Sequence, residues 1–511
     1  MRFPHLITLC LLGSPAFAQD IELERTHTRW RFGWETLDAG DFGDAELLGV
    51  HYDLLGLFEL YKPFYMGLGA YTEFAGDPSG AFAAGFTSGV RYPISEHWRF
   101  ESGLFLGGGA VTGSQQQRGW IARPFIAFER LFEHYGLRAE LAYFDLDEVD
   151  GSLALSLGVT LPSEWLLASP SQLPDRISRS AFSPRETRLS PRFVTFGPSS
   201  RSESRDGKDL KGDFEMLGLG LDYFLNSHWF IPLEAYGATG GDLDGFGLGL
   251  VGLGYRYPLG DGSFSLEAKG SVGIASGGGV FTGGGLTLGV GGALRATLSD
   301  SLSAELGTSY ITAPNGEFDA TGVSLGLSWT TYPIELARAW PRGKLWDAGL
   351  SDEDAEIGNT RWGVLSKFYS PTHSSRRKSG ESMDDTLSLI GIELEEPLYK
   401  YISATGRAFV AWSGEAGGYR EGMLGLRASH STFEKPDHIF SLGFEVGAGG
   451  GGQVDVGSGL LVNVNVAYKY VLDPNAFLTF EYGRTKASSG SFEAESISIG
   501  MSWNLQRANA K

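Results

Sequence analysis

One strand ending occurs three times in this chain, as SLGVTL at 156, SLGLSW at 324 and SIGMSW at 498. Reading outward from Ser156, Ser324 and Ser498, the copies align over most of their length. TRWRFGW at 28 matches TRWGVLS at 360, with PRFVTFG at 191 as a weaker middle version. GVRYP at 89 returns as GYRYP at 254 and loosely as GLRAS at 425, and LRAEL at 137 corresponds to LSAEL at 302 and LTFEY at 478. Self-similarity on this scale means three related folding units rather than one irregular domain.

Within each unit the period is two. LVNVNVAYKY (461–470) sends Val462, Val464, Val466, Tyr468 and Tyr470 to one face and Asn463, Asn465 and Lys469 to the other. In GFGLGLVGLGYRYPL (245–259), Phe246, Leu248 and Leu250 alternate with glycine, and after one slip Leu253, Tyr255 and Tyr257 continue the pattern. Such alternation marks strands with one apolar and one polar face. About eight such segments fit each unit, each near the ~10 residues that a tilted membrane-crossing strand needs. Short turns (ISEH, LSDS, LNSH) take turns with longer loops (DLDEVDG, GATGGDLDG, SPTHSSRRKSGESMDD). That asymmetry favours a transmembrane β-barrel over a soluble β-sandwich or lipocalin-like barrel.

Composition agrees. The 74 glycines are about twice the usual share, and aromatics make up 13%, a pairing found in glycine-punctuated, aromatic-girdled β structure. Mean hydropathy is -0.09, and past the N-terminus no apolar run reaches the ~18 residues of a spanning helix. A formal net charge of -20 argues against nucleic-acid binding, which uses clustered Lys and Arg. Arg2, the apolar LITLCLLG and the Ala16-Phe17-Ala18 site read as an export signal cleaved before Gln19. The single cysteine, Cys10, lies inside it, so the mature chain carries no disulfide, Cys zinc site or Cys nucleophile.

Residues Ser498, Gly500, Trp503 and Leu505 resemble the C-terminal signal of bacterial outer-membrane β-barrel proteins, in which a polar residue, a glycine and two spaced hydrophobics mark the last strand. Here QRANAK follows it. Ser324, Gly326 and Trp329 match with Thr331 in the final place, and Ser156, Gly158 and Leu161 match with Ser163 there. The resemblance implies the barrel-insertion machinery as a partner and the bacterial outer membrane, with its lipid and lipopolysaccharide, as the setting. The expected organisation is a signal peptide (1–18), barrel repeats at 19–162, 191–332 and 360–505, linkers at 163–190 and 333–359, and a tail at 506–511. The fold class is all-β, antiparallel, three tandem barrels of about eight strands, with one wide barrel of about 24 strands as the alternative.

Alternation turns Arg91, Arg256, Arg427, Glu140, Glu305 and Glu481 away from their apolar neighbours, and Glu101, Glu267, Arg295 and Lys469 likewise, whereas Arg130 falls on the wrong parity. Charges inside a narrow barrel must pair, so these residues are expected to plug the lumens, with Arg256 and Glu305 facing each other. The glycine triplets at 107–109, 277–279 and within 449–452 lack the strand–loop–helix context and Lys of a phosphate loop and read as loop or close-approach glycines. Asp145, Asp147, Glu148 and Asp150 lack EF-hand spacing, and Arg376, Arg377 and Lys378 read as a soluble loop tip. No cofactor or metal is expected. His97, His134, His228 and His438 fall at turns, and only His373–Ser374 and His430–Ser431 offer adjacent pairs, neither repeated. The sequence therefore reads as a non-enzymatic outer-membrane protein with a structural or surface-interaction role. A wide pore for solutes or an exported polymer is the alternative, and a lipid-modifying hydrolase the second.

Overall fold

The computed structural model describes residues 24–38, 44–55, 63–76, 82–110, 119–146, 149–167, 182–184, 186–241, 243, 245–260, 262–299, 301–336, 355–414, 416–431, 437–473 and 476–510. The expected export signal lies outside them, as does most of both expected linkers. Among the described residues everything regular is strand. Barrel 1 comprises β1 (Glu24–Asp38), β2 (Asp44–Leu55), β3 (Phe64–Gly76), β4 (Phe82–Pro93), β5 (Trp98–Ala110), β6 (Trp120–Leu131), β7 (Gly136–Leu146) and β8 (Val149–Leu167). After a short β9 (Phe182–Pro184), barrel 2 comprises β10 (Thr187–Pro198), β11 (Phe214–Phe224), β12 (Trp229–Ala238), β13 (Gly247–Leu259), β14 (Phe264–Ser276), β15 (Leu286–Thr297), β16 (Leu302–Ala313) and β17 (Phe318–Leu336). Barrel 3 comprises β18 (Ala355–Pro371), β19 (Leu387–Tyr399), β20 (Ile402–Ser413), β21 (Arg420–Ser431), β22 (His438–Gly450), β23 (Leu460–Asp473), β24 (Ala476–Ala487) and β25 (Glu493–Ala510).

Each unit is a meander closed by its own first and last strands: β1 with β8, β10 with β17, and β18 with β25, all antiparallel. Three separate eight-stranded barrels result, and the single wide barrel does not form. Each repeated ending lies on its barrel's closing strand, opposite the start of that barrel. Gly33 faces Gly158, Arg192 faces Gly326, and Leu365 faces Gly500.

The boundaries differ from the expected ones because the closing strands run past the barrel rims. β8, β17 and β25 continue to Leu167, Leu336 and Ala510, so the start of each linker and the tail are strand. There the backbone of β17 pairs with β25 (Tyr332 with Ala508), with β8 (Glu335 with Trp165) and with β9. DLDEVDG is no long loop either: β7 ends at Leu146 and β8 starts at Val149.

Burial is inverted relative to a water-soluble protein. In TRWRFGW, Arg29 and Arg31 point inward and are buried, whereas Trp30, Phe32 and Trp34 point outward and are exposed. The same holds around all three barrels: Leu153, Leu155, Leu157, Leu253, Val290, Leu325, Phe444, Val466 and Ile497 are exposed, while Glu101, Asp222, Arg407, Asn463 and Ser498 are buried. Trp98, Tyr135, Trp229, Tyr257, Tyr401 and Tyr470 ring the turn end of this belt. An outward apolar band with an aromatic girdle is the surface a lipid bilayer solvates.

Each lumen has two layers. Toward the long loops it is filled mainly by apolar side chains: Leu37, Leu47, Tyr71, Phe105 and Phe144 in barrel 1, Phe196, Phe214, Met216, Phe246 and Phe318 in barrel 2, and Tyr369, Leu387, Leu389, Tyr419 and Phe492 in barrel 3, where a buried Glu421 pairs with Lys367 at 2.8 Å and accepts hydrogen bonds from the Tyr369 and Tyr419 hydroxyls. Toward the short turns it is ionic. This explains the parity slip in 245–259. The register of β13 with β14 is unbroken from Gly247 to Leu259, so no bulge exists. Phe246, Leu248 and Leu250 point into the apolar layer, whereas Leu253, Tyr255 and Tyr257 point outward beside the ionic layer. The hydrophobic pattern changes face because the lumen changes chemistry.

Candidate functional site

The ionic layers are the densest assembly of functional groups among the described residues, and each follows from strand alternation that turns every second side chain inward. In barrel 1, Arg29 donates to Asp53 at 2.7 Å and to Glu101 at 2.8 Å, and Arg31 donates to Asp53 at 2.6 Å. Arg138 bridges Glu101 and Glu140, both at 2.5 Å, and Arg123 joins Glu35 at 2.6 Å and Glu140 at 2.5 Å. The Arg29 and Arg123 guanidinium carbons also sit 4.7 Å and 4.9 Å above the rings of Tyr65 and Tyr71, in cation–π range. In barrel 2, Arg188 donates to Asp222 at 2.8 Å and Glu267 at 2.7 Å, Arg295 joins Glu267 to Glu305, and Arg192 joins Glu305 to Glu234, which also holds Lys269. In barrel 3, Arg407 meets Glu393 at 2.7 Å, Glu481 at 2.5 Å and Glu445 at 3.2 Å. There Arg427 meets Glu393 at 3.0 Å, with Glu395 and Glu481 at 3.1 Å, and Lys469 reaches Glu395 and Glu393.

Of the residues singled out from sequence, Glu101, Glu140, Glu267, Arg295, Glu305, Arg427, Lys469 and Glu481 lie within these networks. Arg91 and Arg256 do not. Arg91 is half-buried and stands opposite Glu101 in the β4–β5 register, but Glu101 gives its oxygens to Arg29 and Arg138. Arg256 sits at the turn-end rim, 2.9 Å from a Glu186 oxygen and the Ser227 carbonyl, with its guanidinium 4.1 Å over Phe224. The expected Arg256–Glu305 contact is therefore absent, and Glu305 is held by Arg192 and Arg295. Arg130, on the outward parity, is exposed beside Phe132, and the inward arginine of the same strand is Arg123. Sequence reading also passed over Arg29 and Arg31, Arg188 and Arg192, and Asp53, Asp222, Glu393 and Glu395. Alternation with the aromatic residues of TRWRFGW would have exposed the first pair.

A cavity of about 330 Å³ opens at the turn-end mouth of barrel 2, lined by Arg188, Arg256, Arg295, His228, Glu186 and several Ser and Thr hydroxyls. The two later glycine triplets build caps over the loop ends. Gly277, Gly278 and Gly279, like Gly451 and Gly452, have positive φ, which glycine adopts without strain. Their turns bury Val280 and Val454, which bridge to Ser204 and Arg377 in the long loops at 199–213 and 372–386. Gly107 to Gly109 lie instead within β5. Asp145 and Asp150 belong to strands, and Asp147 and Glu148 lie outside the described residues. Of the residues that resemble an outer-membrane terminal signal, Ser498 is inward and fully buried, Trp503 is half-buried, and the Leu505 side chain lies outside the described residues. His373 is in a loop at one end of barrel 3 and His430 near the opposite end, 6.0 Å from the Tyr401 ring.

No protein-family model and no curated protein matches the chain. Among solved structures, OccK11 (OpdR) of Pseudomonas aeruginosa aligns at 12% identity over 94% of this chain and 96% of its own, with a TM-score of 0.21. OpdK of the same organism, crystallised with vanillate, aligns at 10% identity over 94% and 98%, with a TM-score of 0.22. A de novo designed transmembrane β-barrel aligns at 12% identity over 28% of this chain and 94% of its own, with a TM-score of 0.20. These scores are too low to carry a functional conclusion. What identifies the molecule is its own wall, an apolar belt outside and ion pairs inside three closed meanders: the chain is a β-barrel protein of the outer-membrane type, with three small eight-stranded barrels in tandem.

Proposed function

We propose that this protein is a non-enzymatic component of a bacterial outer membrane whose three barrels are closed to solutes, with a structural or surface-interaction role. The observation that carries the proposal is the double plug. An eight-stranded barrel is narrow enough for its side chains to fill it. Here a mainly apolar layer lies beyond an ionic one in each lumen, so an ion would have to break charge-paired bonds in the ionic layer and shed its water in the apolar one. The loop caps then form the surface presented outward.

Passage of small solutes is the second reading, favoured by the polar cavity at the mouth of barrel 2. Single-channel recording of the full-length protein in a planar bilayer separates the two. Silence at moderate voltage fits closed barrels. Steady ohmic openings, or uptake of a small solute into vesicles, would make the pore reading the correct one.

A further inference from the structure

The three barrels touch one another in a pattern that repeats. β19 and β20 of barrel 3 meet β5 and β6 of barrel 1, β14 and β15 of barrel 2 meet β3 of barrel 1, and β11 and β12 of barrel 2 meet β22 of barrel 3. Counted within each barrel, the third strand of one unit faces the fifth of the next in all three contacts, joined by the second strand in two of them and by the sixth in two. A head-to-tail contact of this kind builds a ring when its rotation closes. We infer that the chain is a covalently fused trimer of barrels, a closed ring about an approximate threefold axis, in which Arg420 locks the loop end.

The positions of the strand ends fit that axis. The fourth strands start beside one another at the loop end, through Phe82, Gly247 and Arg420, whereas the eighth strands pair at the turn end. A strand of a dozen residues is ~40 Å long, and at a tilt of about 40° it drifts ~25 Å around a wall of ~50 Å circumference. Fourth and eighth strands, half a barrel apart, thus reach the same axis at opposite ends.

Arg420 points outward from β21, the direction that elsewhere on the strand carries exposed Leu426. On a lipid face an arginine is costly, but this one donates to the Ser276 carbonyl at 2.9 Å and the Gly245 carbonyl at 3.1 Å in barrel 2. Its guanidinium carbon also lies 4.6 Å from the centre of the Phe82 ring in barrel 1. One side chain therefore contacts both other units. Small residues let the walls approach around it. A Cβ on Gly237 would lie 2.6 Å from Cβ of Ala448, and one on Gly108 would lie 3.2 Å from Cα of Trp412. Trp412 in turn packs on Trp120 of barrel 1 with ring centroids 5.5 Å apart.

The test uses the full-length protein in lipid vesicles, with a protease site placed between residues 337 and 354. With Gly237→Cys and Ala448→Cys, oxidation should leave the cleaved halves joined until reductant is added, since the two β-carbons need move only about 1 Å to reach disulfide geometry. Gly237→Cys with Ile497→Cys, which faces lipid, should not join them. Separation of the halves in the first pair, with both folded, overturns the ring. A second measurement stands without cysteines: the near-ultraviolet couplet of Trp120 with Trp412, identified by its loss in Trp412→Phe, should fall by half or more in Arg420→Ala. An unchanged couplet in folded Arg420→Ala overturns the lock.

Discussion

Arg407→Met probes the ionic layer of barrel 3 where it is most exposed to failure. The guanidinium is fully buried and meets three carboxylates, Glu393, Glu445 and Glu481. Of these, Glu393 and Glu481 also have Arg427, whereas the ion pair of Glu445 is with Arg407. At 3.2 Å and an effective dielectric constant near 20, that one pair amounts to ~5 kcal/mol of Coulomb energy. Removing a partner from a buried pair generally costs about 3 to 5 kcal/mol, because the remaining charge is stranded. The variant should therefore lose about 3 to 5 kcal/mol of stability in urea titrations of the full-length protein in vesicles, read from the folded and unfolded bands of unheated gel samples. Glu445→Gln on the Met background should recover part of the loss, with a coupling of about 1.5 kcal/mol or more in a double-mutant cycle. By contrast, Arg256→Met removes a rim pair in which the side chain keeps 21% of its exposure, and should cost under about 1 kcal/mol. A cost below 1 kcal/mol for Arg407→Met, or strict additivity with Glu445→Gln, would refute the claim that the lumen is an interdependent ionic plug.

Leu325→Arg places a charge on the lipid-facing side of β17 at a residue 61% exposed; it should cost ~2 to 4 kcal/mol at mid-membrane, measured by the same urea titration. Gly283→Ala should open the cap of barrel 2 and expose its loops to protease, because φ is +56° and the new Cβ would fall against the Asn315 carbonyl, a strain of at least ~1 kcal/mol; unchanged protection would contradict the cap. In the loop at 199–213, hydrogen bonds from Lys208 and then Ser204 hold the Asp206 carboxyl down at about 2. A depressed carboxyl contributes stability above its unfolded value of ~3.9 that is lost as pH falls through its folded one. The Gly207 amide, bonded to the Ser204 carbonyl, should accordingly shift with a midpoint near pH 2, and a midpoint near 4 would show the turn to be unformed.

Much of this architecture was legible in the chain itself, for a physical reason. A strand's side chains alternate with a period of two whatever its neighbours do, so LVNVNVAYKY declared its faces locally, with Asn463, Asn465 and Lys469 buried inside. The repeated endings at Ser156, Ser324 and Ser498 likewise declared three units, since each unit must close on its own last strand to leave no edge. Partner choice across a lumen is different. It depends on tilt and stagger, which exist only once the barrel closes, so parity placed Glu305 inside but could not say that Arg192 and Arg295, rather than Arg256, would meet it. The face change at Leu250 to Leu253 looked like a slip because the two-layered lumen is a property of eight strands together. Arg420 was invisible for the same reason. Its partners, Gly245, Ser276 and Phe82, lie 144 to 338 residues away in two other barrels, and no local pattern encodes a contact between walls that only the packed tertiary structure brings together.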